Sequence, residues 1–281
     1  MASDRWLRRT DPPACGARGP GAGHDYPEPL EALADSGRRV IFWDQLGCGR
    51  SEAPEDPSLY RIERHAEEIA ALRVELGLDE VHLLGQSVGG WFAIEYMLAR
   101  PTGIESLNLA STSPGVPCLL RGLARLRAQL PEEVREVLDR HEEVGDLQDP
   151  GNLAAATAFD RLYVCRLDPF PEVLLRTIDN TNRSPAYGIM NKPNEFVMTG
   201  NYRDWDRRDG LDQISAPTLV TCGRHDKFVP GCAGELHQGI AGSELHVFEH
   251  SSHMSHLEEP GEFLRVVGGF LERVEEQANR R

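Results

Sequence analysis

The stretch Val81-His-Leu-Leu-Gly-Gln-Ser-Val-Gly-Gly90 constrains this chain more than any other. The apolar run Val81 to Leu84 reads as a buried strand. A helical pattern follows through Trp91, Phe92, Ile94, Met97 and Leu98. Gly85-Gln-Ser-Val-Gly89 lies between them. Strand, tight turn and helix is the context in which G-x-S-x-G carries an exposed nucleophilic serine. Gly85 and Gly89 suit that turn because strand and helix approach too closely for larger side chains. Ser87 is therefore the candidate nucleophile.

Around this element the chain alternates. Residues 39–44 read as a strand that is apolar on both faces, as in a covered parallel sheet. A helical pattern over 61–76 ends at Gly77, and residues 105–110 form another strand. From 113 to 214 the alternation stops. Helical patterns over 119–130, 131–144, 153–166 and 171–180 replace it. Strands at 217–222 and 244–249 and helices at 231–239 and 260–278 then resume it. This order predicts an α/β fold with a mostly parallel, doubly wound sheet and an inserted helical cap. The expected division is a core of 24–112 and 215–281, a cap of 113–214 and an atypical, poorly ordered segment over 1–23. The polar and aromatic end of the cap, residues 190–206, reads as lining, not core.

A chain of 281 residues is ample for one large domain with an insertion. Forty per cent hydrophobic and 27% charged residues mark a globular protein. A net charge of -15 argues against nucleic acid and anionic membranes as partners. Cys15, Cys48, Cys118, Cys165, Cys222 and Cys232 are scattered without a C-x-x-C pair, so neither a zinc site nor a disulfide framework is indicated. Cys222, on a predicted strand, reads as a core thiol. The N-terminus has charges but no apolar signal region, and no run is long enough to span a membrane. The expected compartment is the cytoplasm.

Acyl transfer needs a nucleophile, a base and a carboxylate that orients the base. The chain offers Ser87 after the strand at 81–85, Asp226 after 217–222 and His253 after 244–249. In α/β-hydrolases the order is Ser, Asp, His, each at the C-terminal edge of a strand. On residues alone His250 and His256 compete with His253 as the base. The oxyanion needs two amide donors. One is the N–H of Val88, after the nucleophile, and the other is expected from the Gly-rich loop Gly19-Pro-Gly21. Asp44 and Arg50, around Leu46-Gly-Cys-Gly49, are read as fixing a loop.

With these residues in place, the chain from about Gly19 onward resembles the proline iminopeptidases of the α/β-hydrolase fold. The matching stretches are Gly19-Pro-Gly-Ala-Gly-His-Asp-Tyr26, Asp44-Gln-Leu-Gly-Cys-Gly-Arg-Ser51, Gly85-Gln-Ser-Val-Gly-Gly90, Pro193-Asn-Glu-Phe196, Gly223-Arg-His-Asp226 and Ser252-His-Met-Ser-His-Leu-Glu-Glu-Pro260. The resemblance selects His253 as the base and gives Glu258 and Pro260 structural parts. It implies release of an N-terminal residue, often proline, from short peptides or amino-acid amides, without metal or cofactor. It also implies that Glu195 receives the substrate ammonium.

Two positions depart from the family. Lys227 stands where the family has a second amine-binding glutamate, and a cation there would repel a substrate ammonium or pair with Glu195. Ala17-Arg-Gly-Pro-Gly21 stands where the family has His-Gly-Gly-Pro-Gly after an apolar central strand. That strand is expected to be missing, which would leave costly unpaired backbone on both neighbours. Residues 1–18 are accordingly expected not to be the family's native N-terminus. Two other readings stay open: an esterase or amidase with no need for a free amine, and a catalytically impaired hydrolase-like protein.

Overall fold

The computed structural model describes residues 14–17, 19–191, 194 and 196–280. Among them six strands form one sheet: β1 (Ala14–Ala17), β2 (Val40–Phe42), β3 (Val81–Gln86), β4 (Ile104–Ala110), β5 (Thr218–Gly223) and β6 (Glu244–Phe248). The spatial order is β2-β1-β3-β4-β5-β6, and every pairing is parallel. Parallel neighbours require crossovers, and α1 (Ile62–Glu75), α2 (Val88–Leu98), α8 (Pro230–Gly239) and the final helix α10 (Pro260–Ala278) belong to them or cover the sheet.

Successive strand residues point to opposite faces. Leu83, Leu109 and Val220 enter one cluster with Ile69 of α1, Trp91 and Phe92 of α2 and Leu236 of α8. Their neighbours Leu84, Ala110 and Leu219 enter a second cluster with Leu30, Leu33, Phe263, Val267 and Phe270. Both faces are therefore covered, which is why these strands read as continuous apolar runs.

The expected gap between the strands at 39–44 and 81–85 is corrected by the structure. Ala14–Ala17 lies between β2 and β3, with Ala14 in register with both Val40 and His82. Four residues of Ala-Cys-Gly-Ala carry no apolar strand pattern. Their strand state comes from the unpaired ladder groups on both neighbours, a tertiary demand that outweighs local propensity. Residues 1–13, with Pro12 and Pro13, lie outside the described residues.

Between β4 and β5 run α3 (Val116–Arg127), α4 (Glu132–Val144), α5 (Pro150–Tyr163), α6 (Glu172–Arg183) and α7 (Pro185–Met190). These helices occupy the stretch between β4 and β5, and among the described residues no strand of the sheet lies between them. Only α7, six residues long, was too short to show periodicity. The segment closing this insertion divides its roles. Met198 and Tyr202 line a cavity, while Tyr202 and Trp205 both pack on Trp91, at 5.1 and 5.0 Å, and join the core. Among the described residues no helix is long and apolar enough to cross a membrane.

Candidate active site

The site starts from the turn between β3 and α2. Ser87 has φ 58° and ψ -132°, a left-handed conformation that a non-glycine residue holds only when its surroundings fix it. Its amide bonds to the Ala110 carbonyl at 3.0 Å, and its carbonyl accepts from the Gly90 amide at 2.9 Å. A Cβ on Gly85 would lie 2.7 Å from both the Gly89 oxygen and the Gly90 Cα. Strand and helix are thus in backbone contact, and the sharp turn lifts the Ser87 hydroxyl off the sheet.

Asp226 and His253 arrive on the loops after β5 and β6. The two loops are stitched together: the Arg224 amide bonds to the Phe248 carbonyl at 2.8 Å and the His225 amide to the Ser251 carbonyl at 3.0 Å. His253 Nδ1 lies 2.8 Å from Asp226 Oδ1, and His253 Nε2 lies 3.0 Å from Ser87 Oγ. Both His253 and Asp226 are nearly inaccessible to solvent, at 2% and 1%. An acceptor-only carboxylate at Nδ1 places the ring proton there and leaves the Nε2 lone pair facing Ser87. The arrangement can take a proton from the hydroxyl and hold the resulting imidazolium.

Three neighbours hold the imidazole in place. The Phe228 ring stacks on it, with centroids 5.2 Å apart and planes 13° apart. Gln86 Nε2 donates to the His253 carbonyl at 3.2 Å, and the Tyr26 hydroxyl donates to Gln86 Oε1 at 2.6 Å. Asp226 Oδ1 also accepts the Phe228 amide at 2.8 Å. Gln86 and Phe228 escaped the sequence reading because a variable motif position and a loop aromatic carry no spacing signal.

The remaining candidates sort clearly. His256 Nε2 donates to the Tyr26 carbonyl at 3.1 Å and His250 is exposed, so His253 alone of the three faces Ser87. Asp44 does fix a loop: its carboxylate accepts the amides of His24 at 2.8 Å and Arg50 at 3.0 Å. Burial pushes the Asp44 carboxyl up, but the Arg50 amide and the His24 ring outweigh it and hold it below the usual carboxylate range. Cys222 is buried, and that burial raises its thiol to about 12, as befits a core residue.

A cavity of about 270 Å³ opens at Ser87 and His253. Gly19 and Val88 both line it, and a Cβ on Gly19 would sit 3.6 Å from that of Val88. Phe159, Phe170, Leu174, Met198 and Met254 give it apolar walls, and buried Lys227 adds a cation. Glu195 lies outside the described residues. The end of α5 reaches over the Asp226 and His253 loops. The Lys227 amide bonds to the Tyr163 carbonyl at 3.0 Å and the Met254 amide to the Val164 carbonyl at 3.1 Å. Among the described residues one group, His141, Asp146 and Asp149, brings possible metal-ligand atoms within 4.8 Å of one another, and none of the three lines the cavity.

A family profile for the alpha/beta hydrolase fold matches residues 19–260. The chain is 39% identical over 257 residues to a proline iminopeptidase of Saccharolobus solfataricus, covering 91% of this chain and 83% of that one. The solved proline iminopeptidase of Mycobacterium smegmatis superposes with a TM-score of 0.89 at 35% identity, covering 99% of this chain and 93% of the other. The crystal structure of VinJ gives a TM-score of 0.92 at 34% identity, with 95% and 92% covered. The chain belongs to the α/β-hydrolase family. Within it, it is a serine hydrolase of the proline iminopeptidase type.

Proposed function

We propose that this enzyme releases an N-terminal residue, often proline, from short peptides or amino-acid amides through an acyl-enzyme. Ser87 attacks the scissile carbonyl while His253 takes its proton, and Asp226 orients and stabilises the imidazolium. The amides of Val88 and Gly19 receive the oxyanion. His253 then returns the proton to the leaving amine, and water repeats the sequence to free the acid. Residues 113–214 act as a cap that closes the cavity over the 24–112 and 215–281 core. Glu195 receives the substrate ammonium. The observation that carries this reading is the relay itself, 2.8 Å from carboxylate to imidazole and 3.0 Å from imidazole to hydroxyl.

A fluorophosphonate probe should label the wild-type chain at Ser87 and leave Ser87→Ala unlabelled. Proline anilide should be cleaved and N-acetylproline anilide should not. Lys227 favours a second reading, an amidase or esterase that needs no free amine, because it puts a positive charge on the cavity wall. Equal cleavage of the two anilides would select that reading.

A further inference from the structure

Helix α3 opens the insertion and α8 follows the Asp226 loop, and the two are tightly docked. A Cβ on Gly122 of α3 would meet Val229, at the start of α8, at 2.8 Å. Arg121 and Glu235 pair across the same interface at 2.9 Å. Beside them, Cys118 of α3 and Cys232 of α8 are buried with their sulfur atoms 2.8 Å apart. The reaction at Ser87 uses neither thiol. Their separation of 114 residues in sequence means that only the packing of α3 on α8 brings them together.

We propose that Cys118 and Cys232 are an oxidative modification site at which a peroxide forms a disulfide that staples α3 to α8. Cys118 retains 5% exposure and Cys232 none, so Cys118 is the thiol that a small oxidant reaches first. Its sulfur attacks hydrogen peroxide to give a sulfenic acid and one water. The Cys232 sulfur then attacks the sulfenic sulfur, its proton leaves with the hydroxide as a second water, and the S–S bond forms. Two thiols are oxidised and one peroxide is reduced. No large movement is needed, because the sulfurs already lie close to the bonding distance of about 2 Å.

The test treats the folded full-length enzyme with hydrogen peroxide, blocks remaining thiols after unfolding, and maps the peptides. Titratable thiols should fall from six to four, with a dithiothreitol-reversible link between the peptides holding Cys118 and Cys232. Cys48, Cys165 and Cys222 are also buried and should stay reduced. The oxidised form should melt at least about 3 °C higher, since the link closes a long loop in the unfolded chain. Cys118→Ala and Cys232→Ala should each abolish both changes; if either variant fails to fold, the wild-type map decides alone. Sulfinic or sulfonic acid at either position without a cross-link, or two alkylated thiols after peroxide, would overturn the proposal.

Discussion

The Glu258 carboxylate accepts the backbone amide of Ser252 at 2.9 Å, one residue before His253. The same carboxylate accepts the Ser252 hydroxyl and, across the fold, the Arg166 amide at 2.8 Å. One side chain on α9 (Ser255–Glu258) therefore joins the histidine loop to the turn that follows α5.

Glu258→Gln should lower kcat roughly tenfold with less than about a threefold change in KM. An amide cannot accept on both sides, so one of two charge-assisted bonds becomes a donor–donor clash, and such bonds contribute about 1.5–3 kcal/mol. Steady-state kinetics on proline anilide decide this. An unchanged kcat would show that the loop holds without Glu258.

Asp226→Asn should reduce kcat by roughly 10⁴-fold while chemical denaturation stays near wild type. The amide is isosteric, but in either orientation it lacks the negative charge that stabilises the imidazolium. With its NH₂ group turned to His253 it also favours the wrong imidazole tautomer and gives up the Phe228 amide. Fluorophosphonate labelling should slow in parallel, and labelling at the wild-type rate would remove Asp226 from the relay.

Gly85→Ala should destabilise the fold by about 1–3 kcal/mol and strip activity, because its methyl group meets backbone at 2.7 Å with no flexible side chain to yield. Gly188→Ala is the control. A Cβ there meets nothing within 4 Å, on α7, so stability should stay the same or rise slightly. Urea midpoints of the two variants make the comparison.

A pH signature should come from the far end of the sheet. Burial pushes the Glu275 carboxyl up, yet hydrogen bonds from Arg38 at 2.6 Å and His82 at 3.1 Å outweigh it and hold it at about 2. The folded pKa lies below the ordinary value of 4.5, so this contribution is fully present above about pH 4.5. It fades as pH falls toward about 2. The stability difference between wild type and Glu275→Gln should be large at neutral pH and shrink through that window. A constant difference from pH 7 to pH 2.5 would contradict it.

Much of the site was legible because its chemistry is local. Ser87 announced itself through the glycines its turn requires, and Asp226 and His253 through the strands they follow. The choice of His253 over His250 and His256 needs either the family pattern or the structure, since all three lie within seven consecutive residues. Gln86 and Phe228 were invisible as positioning groups because each acts through a partner distant in sequence. The strand at Ala14–Ala17 is not legible because no apolar pattern in Ala-Cys-Gly-Ala specifies it.

The sequence by itself determined the layered α/β order, the helical insertion and the placing of Ser87, Asp226 and His253, in that order, after three strands. Apolar runs, glycine requirements and chain order are local properties, and they are written in consecutive residues. Tertiary structure alone decided that β1 fills the place between β2 and β3, that Glu258 ties the histidine loop to the insertion, and that Cys118 meets Cys232. Each of these depends on backbone groups or side chains far apart in sequence, whose pairing becomes favourable only when the rest of the fold has brought them together.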